Sequence, residues 1–143
     1  MISNTILQTN FKTIQTIVFV NLCMKAITTL LNFKFPAIFW TILIFVLCTI
    51  PSEHIPQGEK MNDKANHFIA FAGFTFFWLF HYAQAWKIIL IGILYGIAIE
   101  FWQGILPEDF HRSFDWYDTV ADGIGGIIGY FIWLIFNKLM PKK

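Results

Sequence analysis

The sequence predicts an all-α integral membrane protein built as a four-helix bundle. Hydrophobic residues make up 57% of the 143 residues and charged residues only 13%, whereas an ordinary soluble domain carries about 25% charged residues. Segments such as 68–80 have almost no polar residues at the helical period that a soluble bundle requires. The length allows one domain, and a net charge of +1 excludes a strongly basic nucleic-acid-binding protein.

Four apolar segments carry this prediction, and they cover residues 35–50, 66–82, 86–106 and 116–136. Crossing the hydrocarbon core takes about 20 residues, or about 17 at the short end. The first two segments therefore need their polar flanks to complete a crossing. Residues 34–138 are predicted to form the membrane domain, and 139–143 a basic cytoplasmic tail.

Residues 1–33 are predicted to be an N-terminal extension, and they allow two interpretations. Ile6 to Leu31 mixes apolar and polar residues, which fits an extra amphipathic helix lying in the membrane interface. Alternatively, Met24 is the true start, because Met24-Lys25 precedes a short polar run and then a clean apolar segment. Residues 1–23 are then an upstream extension.

The distribution of lysine and arginine predicts that both termini are cytoplasmic. Seven basic residues fall on one side of the predicted bundle: Lys12, Lys25, Lys34, Lys87, Lys138, Lys142 and Lys143. The other side has only Lys60, Lys64 and Arg112. Basic residues favour the cytoplasmic side, so we expect loops 51–65 and 107–115 outside a bacterial cytoplasmic membrane.

Ionisable residues gather at the predicted outer ends of the second and third segments. Charge inside the hydrocarbon costs a few kcal/mol or more, so these residues need a reason to be there. Asp63 and His67 are four residues apart and share a helix face, with Lys64 beside them. Glu100 and Gln103 share a face of the third segment. Helix capping by Asp63, or a helix-to-helix hydrogen bond from Glu100, is the structural alternative.

The fourth segment opens with Asp115, Asp118 and Asp122, which form one broad stripe on a helix. Helix capping explains Asp115 well and Asp122 poorly. Gly125 and Gly129 follow at a spacing that permits close approach of another helix. We therefore expect Asp122 to pack against a neighbouring helix, where it is either protonated or paired.

This mixture of residues suits the head group of an amphiphile. Glu100, His67 and Asp115 are the candidate acid/base residues, and Arg112 offers a guanidinium fork suited to phosphate or carboxylate. Alternatively, Arg112 only ties its loop down. The other candidate ligand-binding residues are Gln103, Asp118, Asp63 and Lys64.

No metal and no other cofactor is predicted. His54, His67 and His111 all lie on the predicted outer side near carboxylates, and zinc sites use such ligands. However, no two of these histidines have the spacing of a ligand pair, and the loops are short.

The order of the polar residues resembles the VanZ-like family. The elements that carry the resemblance are Asp63-Lys64-x-x-His67, Glu100-x-x-Gln103 and Arg112-Ser113-Phe114-Asp115-x-x-Asp118-x-x-Ala121-Asp122-x-x-Gly125. It covers roughly residues 34–136 and implies a small four-helix membrane protein. The founding member is associated with resistance to the glycopeptide teicoplanin, and no biochemical activity is firmly assigned to the family. This chain has Asp122 where the family usually has Asn, and His111 where it often has Gly.

Three classes of function stay open at this level. The polar residues bind an anionic amphiphile or a lipid-linked cell-wall intermediate, with or without catalysis. Alternatively, the protein is a non-enzymatic membrane component that acts through protein partners, and the polar residues lock its helices. The third class is a small transporter with an acidic proton relay. The position of the polar residues at one face argues against a path through the membrane.

Overall fold

The computed structural model describes the backbone of residues 2–51 and 60–140 and the side chains of residues 12–51 and 64–140. This part of the chain is all-helical, as predicted. Its helices are α1 (Ile2–Leu31), α2 (Phe35–Thr49), α3 (Lys60–Trp78), α4 (Ala85–Ile105) and α5 (Trp116–Leu139). A 3-10 turn at Glu108–Phe110 lies between α4 and α5.

The helices follow the predicted segments closely, except for α3. This helix begins at Lys60 and ends at Trp78, whereas the apolar segment covers residues 66–82. Lys60, Met61, Lys64 and Ala65 before the segment have high helix propensity, and the helix continues outward through them, so hydropathy alone misplaces its start. Residues 79–81 form a turn.

Three of the described helices are long and apolar enough to cross a membrane. They are the Lys12–Leu31 part of α1, α4 and α5. The apolar helix α2 has 15 residues, fewer than the roughly 17 that the shortest crossing takes. Length and composition therefore indicate a membrane protein, while the four-helix membrane bundle and the location of the termini stay predictions.

Residues 1–33 form a unit of their own, which contains α1. Ile17 to Val20 are four consecutive apolar residues, and successive helical residues point 100° apart, so they cover all sides of the helix. All four are at least 50% exposed. This part of α1 thus lacks the single apolar face that an interfacial helix presents, although its assignment as an extension stays a prediction.

In the second unit, residues 34–143, α3 packs against α2, α4 and α5, and its contact with α5 is the most extensive. Glycines make that contact close. A Cβ atom on Gly125 would lie 2.6 Å from the Phe68 carbonyl oxygen, and one on Gly129 would overlap the Ala72 carbonyl. The neighbour that these two glycines approach is therefore α3.

The apolar core of this unit lies between α2, α3 and α4. Its buried members are Ile44, Phe71, Phe74, Leu79, Ile88 and Ile99. Two hydrogen bonds connect α2 with its neighbours in this core. The Trp40 indole N–H of α2 donates to the Ala70 carbonyl of α3, and the Tyr95 hydroxyl of α4 donates to the Thr41 carbonyl of α2, each at 2.8 Å. These contacts hold α3 and α4 in register, and the candidate site lies where α3 and α4 meet α5.

Candidate functional site

Four ionisable side chains are buried where α3, α4 and α5 meet. They are His67 of α3, Glu100 of α4, and Asp118 and Asp122 of α5, and none is more than 7% exposed. Lys64 and Asp115 lie at the edge of the same group. We call these six residues the polar cluster. Sequence spacing places them at helix ends, and the packing of α5 on α3 and α4 brings them together.

His67 links the two deeper aspartates. Its Nδ1 atom lies 2.8 Å from Asp122 Oδ1, and its Nε2 atom lies 3.8 Å from Asp118 Oδ2. Gly96 of α4 makes room for this arrangement, because a Cβ atom there would overlap the Asp122 carboxylate. Gly96 is a residue that the sequence analysis missed. Only the register between α4 and α5 shows which glycine faces Asp122.

Lys64 lies at the exposed edge of the cluster. Its ammonium lies 2.5 Å from Asp118 Oδ1 and 3.0 Å from Asp115 Oδ2. The side chains of Lys64 and Asp115 are 37% and 41% exposed, whereas that of Asp118 is 8% exposed. The cluster therefore runs from a wet edge to a dry interior.

Asp115 caps the N-terminus of α5. Its Oδ1 atom accepts a 2.8 Å hydrogen bond from the Tyr117 backbone N–H, as an N-cap aspartate does. That bond and the nearby Lys64 ammonium hold the pKa of Asp115 below its usual range. The Asp115 backbone N–H donates in turn to Glu100 Oε2 at 2.8 Å, so this cap ties α5 to α4.

Two carboxylate oxygens of the cluster have no hydrogen-bond partner within the described part of the chain. They are Glu100 Oε1 and Asp122 Oδ2, and both are buried. Four carboxylates here face one lysine and one histidine, so acidic groups outnumber basic ones. Buried polar groups are normally paired, which makes these two oxygens the least satisfied atoms of the site.

Arg112 lies outside the polar cluster in its hydrogen bonding. Its guanidinium donates from Nε and Nη2 to the Ile50 carbonyl and from Nη2 to the Leu47 carbonyl, each at 3.3 Å. The last carbonyls of a helix lack intrahelical partners, and a cation is favourable near that end. In this conformation Arg112 thus binds the C-terminal end of α2.

Gln103 and Trp102 of α4 bind the same end of α2. Gln103 Nε2 donates to the Cys48 carbonyl at 3.0 Å, and the Trp102 indole N–H donates to the Thr49 hydroxyl at 3.1 Å. We call Trp102, Gln103 and Arg112 the α2-end group. Two predicted ligand-binding residues, Gln103 and Arg112, are therefore in a different polar group from His67 and Glu100.

The remaining predicted residues lie elsewhere. The side chains of Asp63 and His54 fall outside the described residues. His111 is exposed and has a backbone φ of 48°, in the left-handed region that favours glycine. The turn keeps this conformation with histidine, at the position where the resemblance implies glycine.

One nitrogen or oxygen atom each from His67, Glu100 and Asp118 lies within 4.8 Å of the other two. These three buried residues are the group in the described side chains that could hold a metal ion. It is a different set from the three histidines that the sequence analysis considered.

The fold and the cluster define a class: a helical membrane protein with buried ionisable residues at the junction of three helices. A family model described as VanZ/LLP1 matches residues 3–137, and the chain belongs to the VanZ/LLP1 family. The recognition made from the polar residues is confirmed. The match also includes α1, which the resemblance over residues 34–136 did not.

A relative in the fission yeast Schizosaccharomyces pombe, an uncharacterised protein, is 31% identical over 110 residues. The alignment covers 70% of this chain and 66% of the yeast protein, so this chain spans just under two thirds of that relative. No solved structure matches the chain.

Proposed function

We propose that the protein binds the head group of an anionic amphiphile at the polar cluster. In the proposal the chain is a multi-pass protein of a bacterial cytoplasmic membrane, and the cluster faces the outer side. The observation that carries it is the gradient from the half-exposed Lys64 and Asp115 to the buried His67, Glu100 and Asp118. Buried ionisable groups inside membrane helices are expensive to keep and mark functional sites.

Lys64 is the basic group that supports anion binding most directly. Its ammonium offers three donors at the wet edge of the cluster, where it now bridges Asp115 and Asp118. His67 and Glu100 lie behind it as the proposed acid/base pair, with Asp115 as a third candidate. The proposed function is binding, and any catalytic step on the bound head group would use these groups.

Aromatic residues around the start of α5 support a location at the head-group level. Trp116 is 59% exposed and Tyr117 is 72% exposed, directly after the N-cap residue Asp115. Amphipathic rings favour the membrane–water interface. The wet edge of the cluster would then lie at the depth of lipid head groups.

The yeast relative bears on the choice of ligand. A ligand common to bacterial and eukaryotic membranes fits both organisms, so the relative favours an ordinary anionic lipid. A lipid-linked cell-wall intermediate is the narrower form of the proposal, and an effect on glycopeptide susceptibility belongs to that form.

Native mass spectrometry of the detergent-purified protein tests the proposal. We expect anionic lipid adducts on the wild type and at least a tenfold lower adduct fraction on Lys64→Gln. The matched control is Lys87→Gln, which removes an exposed lysine at the opposite end of the helices and should keep the adducts. Equal adduct fractions on all three proteins, each eluting as a single species, would contradict the proposal.

The second candidate is a non-enzymatic membrane component that acts through protein partners. The specific observation in its favour is the α2-end group, in which predicted ligand-binding residues hold helices together. In that case substitutions at Lys64, His67 and Glu100 should lower the amount of folded protein in the membrane and leave no folded variant with a specific binding defect.

The proposed orientation has its own test. In a background with Cys23→Ser and Cys48→Ser, a cysteine replacing the exposed Ser113 should react with an impermeant maleimide in intact cells. A cysteine replacing the exposed Gln84 should react only after permeabilisation. The reverse pattern would overturn the topology. A crossing by α1 would add one passage and move the N-terminus outside without changing either result.

A further inference from the structure

We propose that His67, Glu100 and Asp118 form a binding site for one divalent transition-metal ion, with Zn²⁺ as the best fit. The site itself stands on the geometry of the dry part of the cluster. Its role as the group that recruits an anionic head group rests on the proposed function.

The donor atoms lie near one another, at a spacing wider than that around a bound ion. The three atoms lie within 4.8 Å of one another, from three different helices. Zn–N and Zn–O bonds of about 2.0–2.2 Å place ligands of a tetrahedral ion roughly 3.4 Å apart. Movements of about an ångström by these three side chains would bring the donor atoms to that spacing.

The orientation of His67 supports ligation through Nε2. Its Nδ1 atom is 2.8 Å from Asp122 Oδ1. A histidine that binds a metal almost always donates its other ring N–H to a carboxylate, a carbonyl or water, which fixes the tautomer. With Nδ1 protonated for Asp122, the Nε2 lone pair faces the side of the ring where Asp118 Oδ2 lies 3.8 Å away.

The hydrogen bonds of the two carboxylates leave oxygens for an ion. Glu100 is 0% exposed, and its Oε1 atom has no partner among the described residues, while Oε2 accepts from the Asp115 backbone. Lys64 holds Asp118 Oδ1, and Oδ2 faces His67. An unpaired carboxylate oxygen in a dry site costs free energy that a bound cation would recover.

The charge balance connects the ion with an anionic ligand. Because carboxylates outnumber basic groups, the cluster attracts phosphate only at Lys64. A bound divalent ion would be the largest local charge, would offset part of the acidic excess and would attract an anionic oxygen directly. Three protein ligands leave a fourth position open, as in catalytic zinc sites. An oxygen of the head group would occupy that position. One imidazole with two carboxylates suits Zn²⁺ better than Mg²⁺, which prefers oxygen ligands.

The metal content of the purified full-length protein tests the site. Protein stripped with a chelator is titrated with Zn²⁺ against a fluorescent chelator, and elemental analysis counts the ions retained. We expect one ion per chain on the wild type and at least tenfold weaker binding by Glu100→Gln. Glu108→Gln is the matched control, because it removes an exposed carboxylate outside the cluster. Wild-type binding no tighter than that of Glu100→Gln, with both proteins folded, overturns the proposal.

A second variant covers the case in which Glu100→Gln does not fold. Asp122→Asn keeps the shape and can still accept from His67, but it removes the negative charge that makes the imidazole a stronger ligand. We therefore expect 10- to 100-fold weaker metal binding, the range for partners of ligand residues. Co²⁺ added in place of Zn²⁺ should give visible absorption that changes in this variant. Unchanged affinity and an unchanged spectrum would count against ligation by His67.

Lipid binding separates this inference from the proposed function. The native mass spectrum is recorded for stripped and Zn²⁺-loaded protein. More lipid on the loaded protein supports both ideas. Lipid adducts without any metal binding overturn the metal site and leave the proposed function intact. Metal binding without lipid adducts overturns the proposed function and leaves the metal site intact.

Discussion

The polar cluster and the α2-end group lie near each other along α4 but differ in their hydrogen bonding. The α2-end group uses Gln103 and Arg112 to donate to backbone carbonyls that the end of a helix leaves without intrahelical partners. The polar cluster buries His67, Glu100 and Asp122 together and leaves two carboxylate oxygens without a partner in the described residues.

The difference separates polar residues that stabilise the fold from those that it has to accommodate. A hydrogen bond to a backbone carbonyl contributes about 0.5–1.5 kcal/mol net. Removing an ion from water costs several kcal/mol, which even a partner in the interior only partly offsets. Apolar residues of similar size would fill the junction of three helices more cheaply than the cluster does. This is the physical reason to place function in the polar cluster and capping in the α2-end group.

Two glycines of α4 offer the sharpest test of this contrast and the largest expected effect. Alanine at Gly96 would drive a Cβ atom into Asp122 and break its contact with His67. Alanine at Gly104, beside the α2-end group, would meet Phe114 Cβ at an ordinary 3.4 Å. We expect Gly96→Ala to lose about 1–3 kcal/mol of unfolding free energy and most of its metal affinity. Gly104→Ala should be neutral or slightly stabilising, because alanine favours helix over glycine.

Thermal unfolding in detergent and the Zn²⁺ titration measure both quantities for both variants. If Gly96→Ala matches the wild type in stability and in metal binding, the close packing of α4 on Asp122 does not matter. Equal losses in the two variants would mean that the two regions of α4 respond in the same way to an added methyl group.

The sequence predicts the position of each polar residue along its helix but does not predict which of these residues meet. Long apolar segments predict helices, so spacing places His67, Glu100 and the aspartates of α5 on definite helix faces. Spacing within one helix says nothing about which faces meet. Spacing therefore does not identify Gly96, and it does not separate Gln103 from Glu100, which lies three residues before it.

Arg112→Lys tests whether Arg112 belongs to the α2-end group or binds the ligand, and its expected effect is moderate. Its fork donates to Ile50 and Leu47, and a lysine ammonium cannot reproduce that planar arrangement. We expect Arg112→Lys to lower the unfolding free energy by about 1 kcal/mol and to bind lipid and Zn²⁺ as the wild type does. Denaturation and native mass spectrometry provide the two readouts. Binding lost at unchanged stability would instead assign Arg112 to the ligand, as the sequence analysis has it.

The smallest expected effect is the pH dependence of the N-cap. The Tyr117 N–H and Lys64 lower the pKa of Asp115 in the folded protein, so its charge stabilises the fold above its unfolded-state pKa of about 3.9. That contribution is lost as pH falls through the lower folded-state pKa. Asparagine still caps a helix but carries no charge.

The stability lead of the wild type over Asp115→Asn should therefore be constant near neutral pH and shrink below about pH 4. The Asp115 side chain is 41% exposed, so solvent screening keeps the lead under about 1 kcal/mol. Parallel melts of both proteins from pH 7 to pH 3 isolate this residue, because other titrating groups contribute equally to each. A gap that stays the same down to pH 3 would show that the Asp115 charge contributes nothing. The wet edge of the cluster would then resemble the α2-end group, in which hydrogen bonds to neutral backbone groups hold the residues in place.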